Sequence, residues 1–380
     1  MRPPGLMELT MKKTRTRLMS ATAAAMVALA PVAMAPATLA QPAAEQPAAN
    51  PVATPIADAA GVTPAPIAIG ELEKVNPHWR DLIRGRDNVK EVWAGSVSMD
   101  RAVPLVWIHP KGLEGDAIYA PRPTLYVLNG ADGGEGKASW LYQTDIIDFF
   151  SDKDVNVVIV QSGEFSYYTD WVDEHTKLGK QTWETFLTKE LPEALEAKIG
   201  GNGKRGIIGM SMSATSVLNF AQHSPDLYDG IGSFSGCAQT SDEIGAQAIQ
   251  LVLDRKGVTG EQMWGPRPGD VWTHNDPLVN AEKLAGQQMY ISNGTGLWGE
   301  WDTTAHPNVD DETQLIAQRT TGSVIEGGTN FCTNVFKSKL DSLGIEAHWD
   351  LGNAGTHSWG YWQDDLHDSW DVLFSKVLYN

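Results

Sequence analysis

The stretch "RGIIGMSMSATSVLNFAQH", residues 205–223, decides how the rest of the chain is read. An apolar run, Gly206-Ile207-Ile208, passes into small residues at Gly209, Ser211, Ser213 and Ala214, and a helix-forming run follows at once. Strand, tight turn and helix in that order expose a serine hydroxyl above a sheet and aim a helix N-terminus at it. The flanking positions must be small, because the turn brings strand and helix backbones together. The usual signature is G-x-S-x-G, and here Ser213 stands in place of the last glycine. A bare G-x-S-x-S is common by chance. Its context makes Ser211 a candidate nucleophile, with a purely structural turn as the alternative.

Working outward, short runs rich in Val, Ile and aromatic residues predict strands at 90–99, 103–110, 124–130, 155–163, 205–210, 230–236, 288–294 and 346–352. Helical patterns fall at 182–199, 213–223, 276–285 and 328–343. The first two strands are close enough for an antiparallel pair, and the later ones alternate with helices as a parallel sheet requires. The expected fold is α/β, specifically a mostly parallel eight-stranded α/β-hydrolase sheet with helices on both faces. Segments 237–275 and 295–325, rich in Gly, Trp and Pro, are expected to be irregular and to lie over or beside the site.

The N-terminus belongs to a different regime. From Met11, which is an alternative start, a basic stretch "MKKTRTR" leads into an Ala-rich apolar segment with small residues near Ala40. This is the form of a secretory signal, so residues 1–40 are expected to direct export and be cleaved. Pro31 and Pro36 interrupt the segment and argue against a stable membrane anchor. Residues 41–66, rich in Ala and Pro, form a linker, and 67–380 the single catalytic domain. The chain's net charge is -18, and the basic leader masks part of the acidity. Such a polyanion is a poor ligand for nucleic acid. Its two cysteines, Cys237 and Cys332, are expected to pair in an oxidising compartment.

A serine nucleophile needs a base, normally a histidine held by a carboxylate, in the chain order Ser, acid, His. His357, in the loop "GNAGTHSWGYW" after the last strand, is placed for the base; His348, within that strand, suits packing. For the acid, Glu300, Asp302, Asp310, Asp311, Glu312 and Glu326 all remain open by position. The oxyanion needs two backbone N–H groups. Met212 follows the nucleophile, and Ala131, in the Gly-rich loop "LNGADGGEGKASW", offers the second. No Lys-Ser/Thr follows that loop in phosphate-binding spacing, and no His/Cys/Asp cluster has metal-ligand spacing. Neither a cofactor nor a metal is expected. Trp140, Trp359 and one of Trp298 or Trp301 are candidates to stack on sugar or line an acyl groove.

Taken together, "FSYYTDW" (165–171), "WETFLTKELP" (183–192), "GMSMSA" (209–214), "MWGP" (263–266), "NDP" (275–277), "NGT" (293–295) and "GTHSWGYW" (355–362) resemble the antigen 85 family of secreted mycolyltransferases, in its corynebacterial form. The resemblance covers about residues 70–380. It implies Ser211 as nucleophile, His357 as base and, in "VIEGGTNFCTNVF", Glu326 as the acid. It also implies oxyanion donors at Met212 and Ala131, and sugar contacts through His357, Ser358 and Trp359. Where the family has Asp-Gly-Leu-Arg, with the aspartate and arginine facing trehalose, this chain has Asn129-Gly130-Ala131-Asp132. Asn129 is then the sugar-facing amide, and the acceptor comes into question. The implied partners are trehalose mycolate esters and envelope glycans, with protein hydroxyls as further acceptors. The competing readings are a secreted carboxylesterase and a non-catalytic envelope- or host-binding protein on the same scaffold.

Overall fold

A computed structural model describes residues 62–72, 75–305, 309 and 311–380. The expected signal segment and nearly all of the linker lie outside the described residues. The eight expected strands all form, and a ninth precedes them. In chain order they are β1 (Ile67–Ile69), β2 (Val89–Ser96), β3 (Arg101–Ile108), β4 (Arg122–Val127), β5 (Asn156–Val160), β6 (Gly201–Met210), β7 (Gly230–Phe234), β8 (Met289–Asn293) and β9 (His348–Leu351).

They make one sheet in the order β1-β2-β3-β5-β4-β6-β7-β8-β9. The first three pairings are antiparallel and the other five parallel. This is the α/β-hydrolase architecture. The added β1 is an edge strand of three residues, too short to stand out from the Ala/Pro-rich segment before it.

Parallel strands are covered on both faces, so each sends alternate side chains into two cores. Tyr126, Val158, Val160 and Ile207 enter one core, while Leu125, Val127, Val157, Ile159 and Ile208 enter the other. The first core is closed by α1 (Pro192–Ile199), α2 (Met212–His223), α3 (Glu243–Leu253) and α4 (Ser323–Leu343). The second is closed by α5 (Trp359–Ser369) and the aromatic residues around Trp140 and Phe150.

The helix expectations need three corrections. Segment 237–275 is not irregular: it contains α3, capped by the Asp242 side chain accepting from the Gly245 N–H, and two shorter helices, Gly260–Trp264 and Asp270–His274. Segment 295–325 holds the helix Glu312–Ala317, capped by Asp311 on the Gln314 N–H, which runs through a π turn directly into α4. Gly322, Gly327 and Gly328 have low helix propensity, yet packing against the sheet keeps this helix continuous and extends it well before the expected start at 328. The expected helix at 276–285 shrinks to one 3₁₀ turn, Ala281–Leu284. Asp276 instead organises a loop there, its carboxylate accepting from the N–H groups of Thr240, Ser241, Leu278 and Val279.

Candidate active site

Strand β6 delivers Ser211 to the C-terminal edge of the sheet. The serine has φ +54° and ψ -117°, a conformation that side chains other than glycine avoid. The turn that holds it is over-determined. A Cβ at Gly209 would sit 2.3 Å from the Ser213 carbonyl oxygen, so only glycine fits. Ser213 is wholly buried, and its Oγ both accepts from the Met210 N–H (2.9 Å) and donates to the Met210 carbonyl (3.1 Å). The residue that spoils the usual motif therefore clamps the turn from within.

The loop after β9 and the start of α4 bring the other groups to Ser211. His357 Nε2 lies 2.8 Å from Ser211 Oγ, and His357 Nδ1 lies 2.7 Å from Glu326 Oε2. The Glu326 side chain is almost fully buried. Its Oε1 accepts from Ser235 Oγ (2.8 Å), Asn293 Nδ2 (2.9 Å) and the Gly294 N–H (2.7 Å). An ionised carboxylate only accepts, so this set suits the charged form and places the imidazole proton on Nδ1. Nε2 then presents its lone pair to the serine hydroxyl. The Trp362 ring stands edge-on to His357, centroids 4.8 Å apart, and its Nε1–H donates to Ser235 Oγ. The His357 N–H is bound to the Gly322 carbonyl, tying the histidine loop to the helix that carries Glu326.

The Met212 N–H heads α2, where the first N–H groups have no intrahelical acceptor. The loop bearing Ala131 lies against the serine turn, since a Cβ at Gly130 would come within 3.5 Å of Ser211 Cβ. The arrangement puts both expected oxyanion donors on segments bordering Ser211. The disulfide joins Cys237 and Cys332, Cα atoms 5.0 Å apart, and so ties the segment after β7 to α4.

Other expectations change. Asn129 is fully buried: its Nδ2 donates to the Val160 carbonyl and its Oδ1 accepts from the Trp140 N–H. It shapes the loop and does not face a ligand. Trp140 is likewise fully buried, with its Nε1–H on the Leu128 carbonyl, so it is a core residue rather than a stacking platform. Trp359 is partly exposed and packs edge-on against Trp140 and Trp362, and Ser358 sits at the N-cap of α5. The Asp132 carboxylate turns back onto the N–H groups of Gly136 and Ala138; burial raises its pKa.

Among the other acid candidates, Asp302 is buried, with Thr356 and Tyr361 hydroxyls and the Gln318 amide on its carboxylate, so it secures the 295–305 loop. Asp311 caps a helix, and Asp310 falls outside the described residues. Sequence reasoning missed Ser235 and Asn293 as holders of Glu326, although Asn293 begins the quoted "NGT" motif. Among the described residues no group of His, Cys, Asp and Glu could hold a metal ion.

A serine on a strained strand-to-helix turn of this sheet, within reach of a carboxylate-bound imidazole, is the constellation of esterases, and residues 96–370 match the family model described as putative esterase. The diacylglycerol acyltransferase/mycolyltransferase Ag85A of Mycobacterium leprae is 31% identical over 256 residues, 66% of this chain and 74% of that protein. Ag85B of the same organism is 30% identical over 252 residues, 64% of this chain and 73% of its own length. The crystal structure of Mycobacterium tuberculosis MPT51 (FbpC1) shares the fold, with a TM-score of 0.58 at 23% identity over 74% of this chain and 96% of that one. This chain belongs to the antigen 85 family, and it is an enzyme of the esterase/acyltransferase type.

Proposed function

We propose that this protein transfers mycolyl chains, of the corynebacterial type, from trehalose monomycolate to a second trehalose monomycolate or another envelope hydroxyl, through an acyl-serine intermediate. Ser211 Oγ attacks the ester carbonyl while His357 Nε2 takes its proton, and Glu326 stabilises the resulting imidazolium. The oxyanion is met by the N–H groups of Met212 and Ala131. The imidazolium returns its proton to the departing trehalose oxygen, leaving the acyl group on Ser211. An incoming sugar hydroxyl, deprotonated by His357, then attacks that ester and frees Ser211. Ser358 and Trp359, flanking the base, are the residues left to orient the sugar once Asn129 and Trp140 are set aside.

The observation that carries the reading is the continuous relay Ser211–His357–Glu326, with contacts of 2.8 and 2.7 Å. Export by residues 1–40, a linker to 66 and action at the cell envelope complete the proposal. Among the described residues, no helix is long and apolar enough to cross a membrane.

One observation favours plain ester hydrolysis as a second reading. Asn129 and Asp132, at the positions where the family faces trehalose, both turn inward, Asn129 onto Val160 and Trp140 and Asp132 onto its own loop. Incubation with trehalose monomycolate and mass analysis of the lipid products separates the two. Trehalose dimycolate should accumulate; free mycolic acid alone, with trehalose present, would establish a hydrolase instead.

A further inference from the structure

Six of the sixteen large apolar side chains exposed among the described residues fall within the short span 297–331: Leu297, Trp298, Ile316, Val324, Ile325 and Phe331. Val324 is 77% exposed, Leu297 65% and Trp298 60%. They belong to one connected unit. The inward face of α4 carries Glu326, Thr333, Phe336 and Leu340, all buried, while Val324 and Phe331, seven residues apart, lie on its outward face. Ile316 continues the exposed run on the preceding helix, so the row is roughly 20 Å long at helical rise. Trp298 joins it from the loop after β8. Its Nε1–H donates to the Arg319 carbonyl (2.9 Å), and the Arg319 guanidinium lies over its ring.

The same unit holds the candidate triad. The N–H groups of Gly296 and Gly355 bind the carbonyls of Gly355 and Leu297, two residues from His357 in the chain, and Glu326 sits between Val324 and Phe331 in the sequence.

The charge pattern narrows the choice of partner. Between Ala317 and Phe336 the chain has only two charged residues, Arg319 and the buried Glu326, in a protein of net charge -18. An isolated exposed leucine needs no explanation, but a grouped, uncharged apolar face marks an interaction site. An aqueous protein partner of opposite charge would be met by the acidic surface elsewhere. An indole beside an arginine, on a face whose exposed carboxylates Glu300, Asp311 and Glu312 stand only at its border, matches the level of lipid headgroups.

We propose that the outward face of α4, with Ile316 and the Leu297–Trp298 loop, docks this enzyme on the surface of a lipid layer with neutral headgroups. Docking there would put the site beside a reservoir of amphiphilic ester, so the inference rests on the lipid substrate proposed above. An anionic layer is disfavoured, because the rest of the protein repels it.

The test uses the chain from residue 41 onward and the variants Ile316→Glu and Phe331→Glu. Wild type should float with phosphatidylcholine vesicles and bind phosphatidylglycerol vesicles less at low salt. Each variant should bind phosphatidylcholine about tenfold more weakly, since interfacial affinity scales with buried apolar area. Phe331→Leu should bind as wild type does, and all variants should turn over a soluble short-chain nitrophenyl ester within about twofold of wild type. Ser211→Ala should still float, which separates docking from the chemistry. Absence of wild-type binding, or variants that bind equally, would overturn the proposal. So would a wild-type dimer in sedimentation that the variants dissociate, since a second copy would then cover the face.

Discussion

A glycine at position 213 would complete the familiar motif, yet it would also remove the hydroxyl that bridges the N–H and carbonyl of Met210. Both backbone groups would be left buried without that partner. We predict that Ser213→Gly costs about 1–3 kcal/mol, measured by urea denaturation, and lowers kcat more than it raises KM. Glu326→Gln tests charge at the other end of the relay. The amide can still accept from one side, but it cannot balance an imidazolium. Its kcat should fall by roughly 10³–10⁴-fold with KM little changed, in steady-state assay on a soluble ester. A loss under tenfold would mean that Glu326 is a packing residue. The choice of Glu326 came from resemblance; position alone left five other acids open. Burial and hydrogen bonding were what distinguished it, and neither is written in the spacing of carboxylates. Asn129 shows the same limit. Its place in the loop was legible, but the direction of its amide was set by Trp140 at the loop's far end and by Val160 on β5.

Among the elements, the strands announced themselves and some helices did not. Val157–Val160 and Ile207–Ile208 are buried on both faces, so their apolar runs were unmistakable. Segments 237–275 and 295–325 looked like loops because Gly, Trp and Pro outweighed local helix signals, although Asp242 and Asp311 are good caps. The helix through Gly322, Gly327 and Gly328 persists because it is fastened along its length. The disulfide is one such fastening. Cys332 lies six residues beyond Glu326, and Cys237 two beyond Ser235, which hydrogen-bonds that carboxylate. Replacing both cysteines by serine should lower stability by up to about 4–5 kcal/mol in the chain-entropy account. Activity measured well below the new melting temperature should fall as well, because the segments holding Glu326 are freed from each other. Unchanged kcat in the folded double variant would confine the bridge to stability.

For the whole molecule, a cluster remote in function from the triad sets part of the pH response. Asp170 accepts from the Thr185 N–H and hydroxyl, and burial, with repulsion from Glu184, pushes its pKa up to about 6. Glu184 also pairs with His223 at 2.7 Å. Burial alone would lower that imidazole, but the bond and charge of Glu184 outweigh it and the pKa is raised. His274, stacked on His223, is lowered by burial and by its neighbour, so the two histidines oppose each other. Asp170 is therefore the clearer probe. A pKa raised on folding gives stability that is full below the unfolded value, near 4, and lost as pH climbs through about 6. Wild type should lose about 2–3 kcal/mol from this group between those limits, and Asp170→Asn should flatten that slope in urea titrations. An identical slope in the variant would place the effect elsewhere.

The central claim is that Ser211 carries the acyl group between donor and acceptor. Its most direct measurement is intact-protein mass spectrometry after brief mixing with trehalose monomycolate. Wild type should gain the mass of one mycolyl group, mapped by digestion to the peptide containing Ser211, and Ser211→Ala should gain none. Acylation mapped to another residue, or trehalose dimycolate formed at wild-type rate by Ser211→Ala, would contradict it.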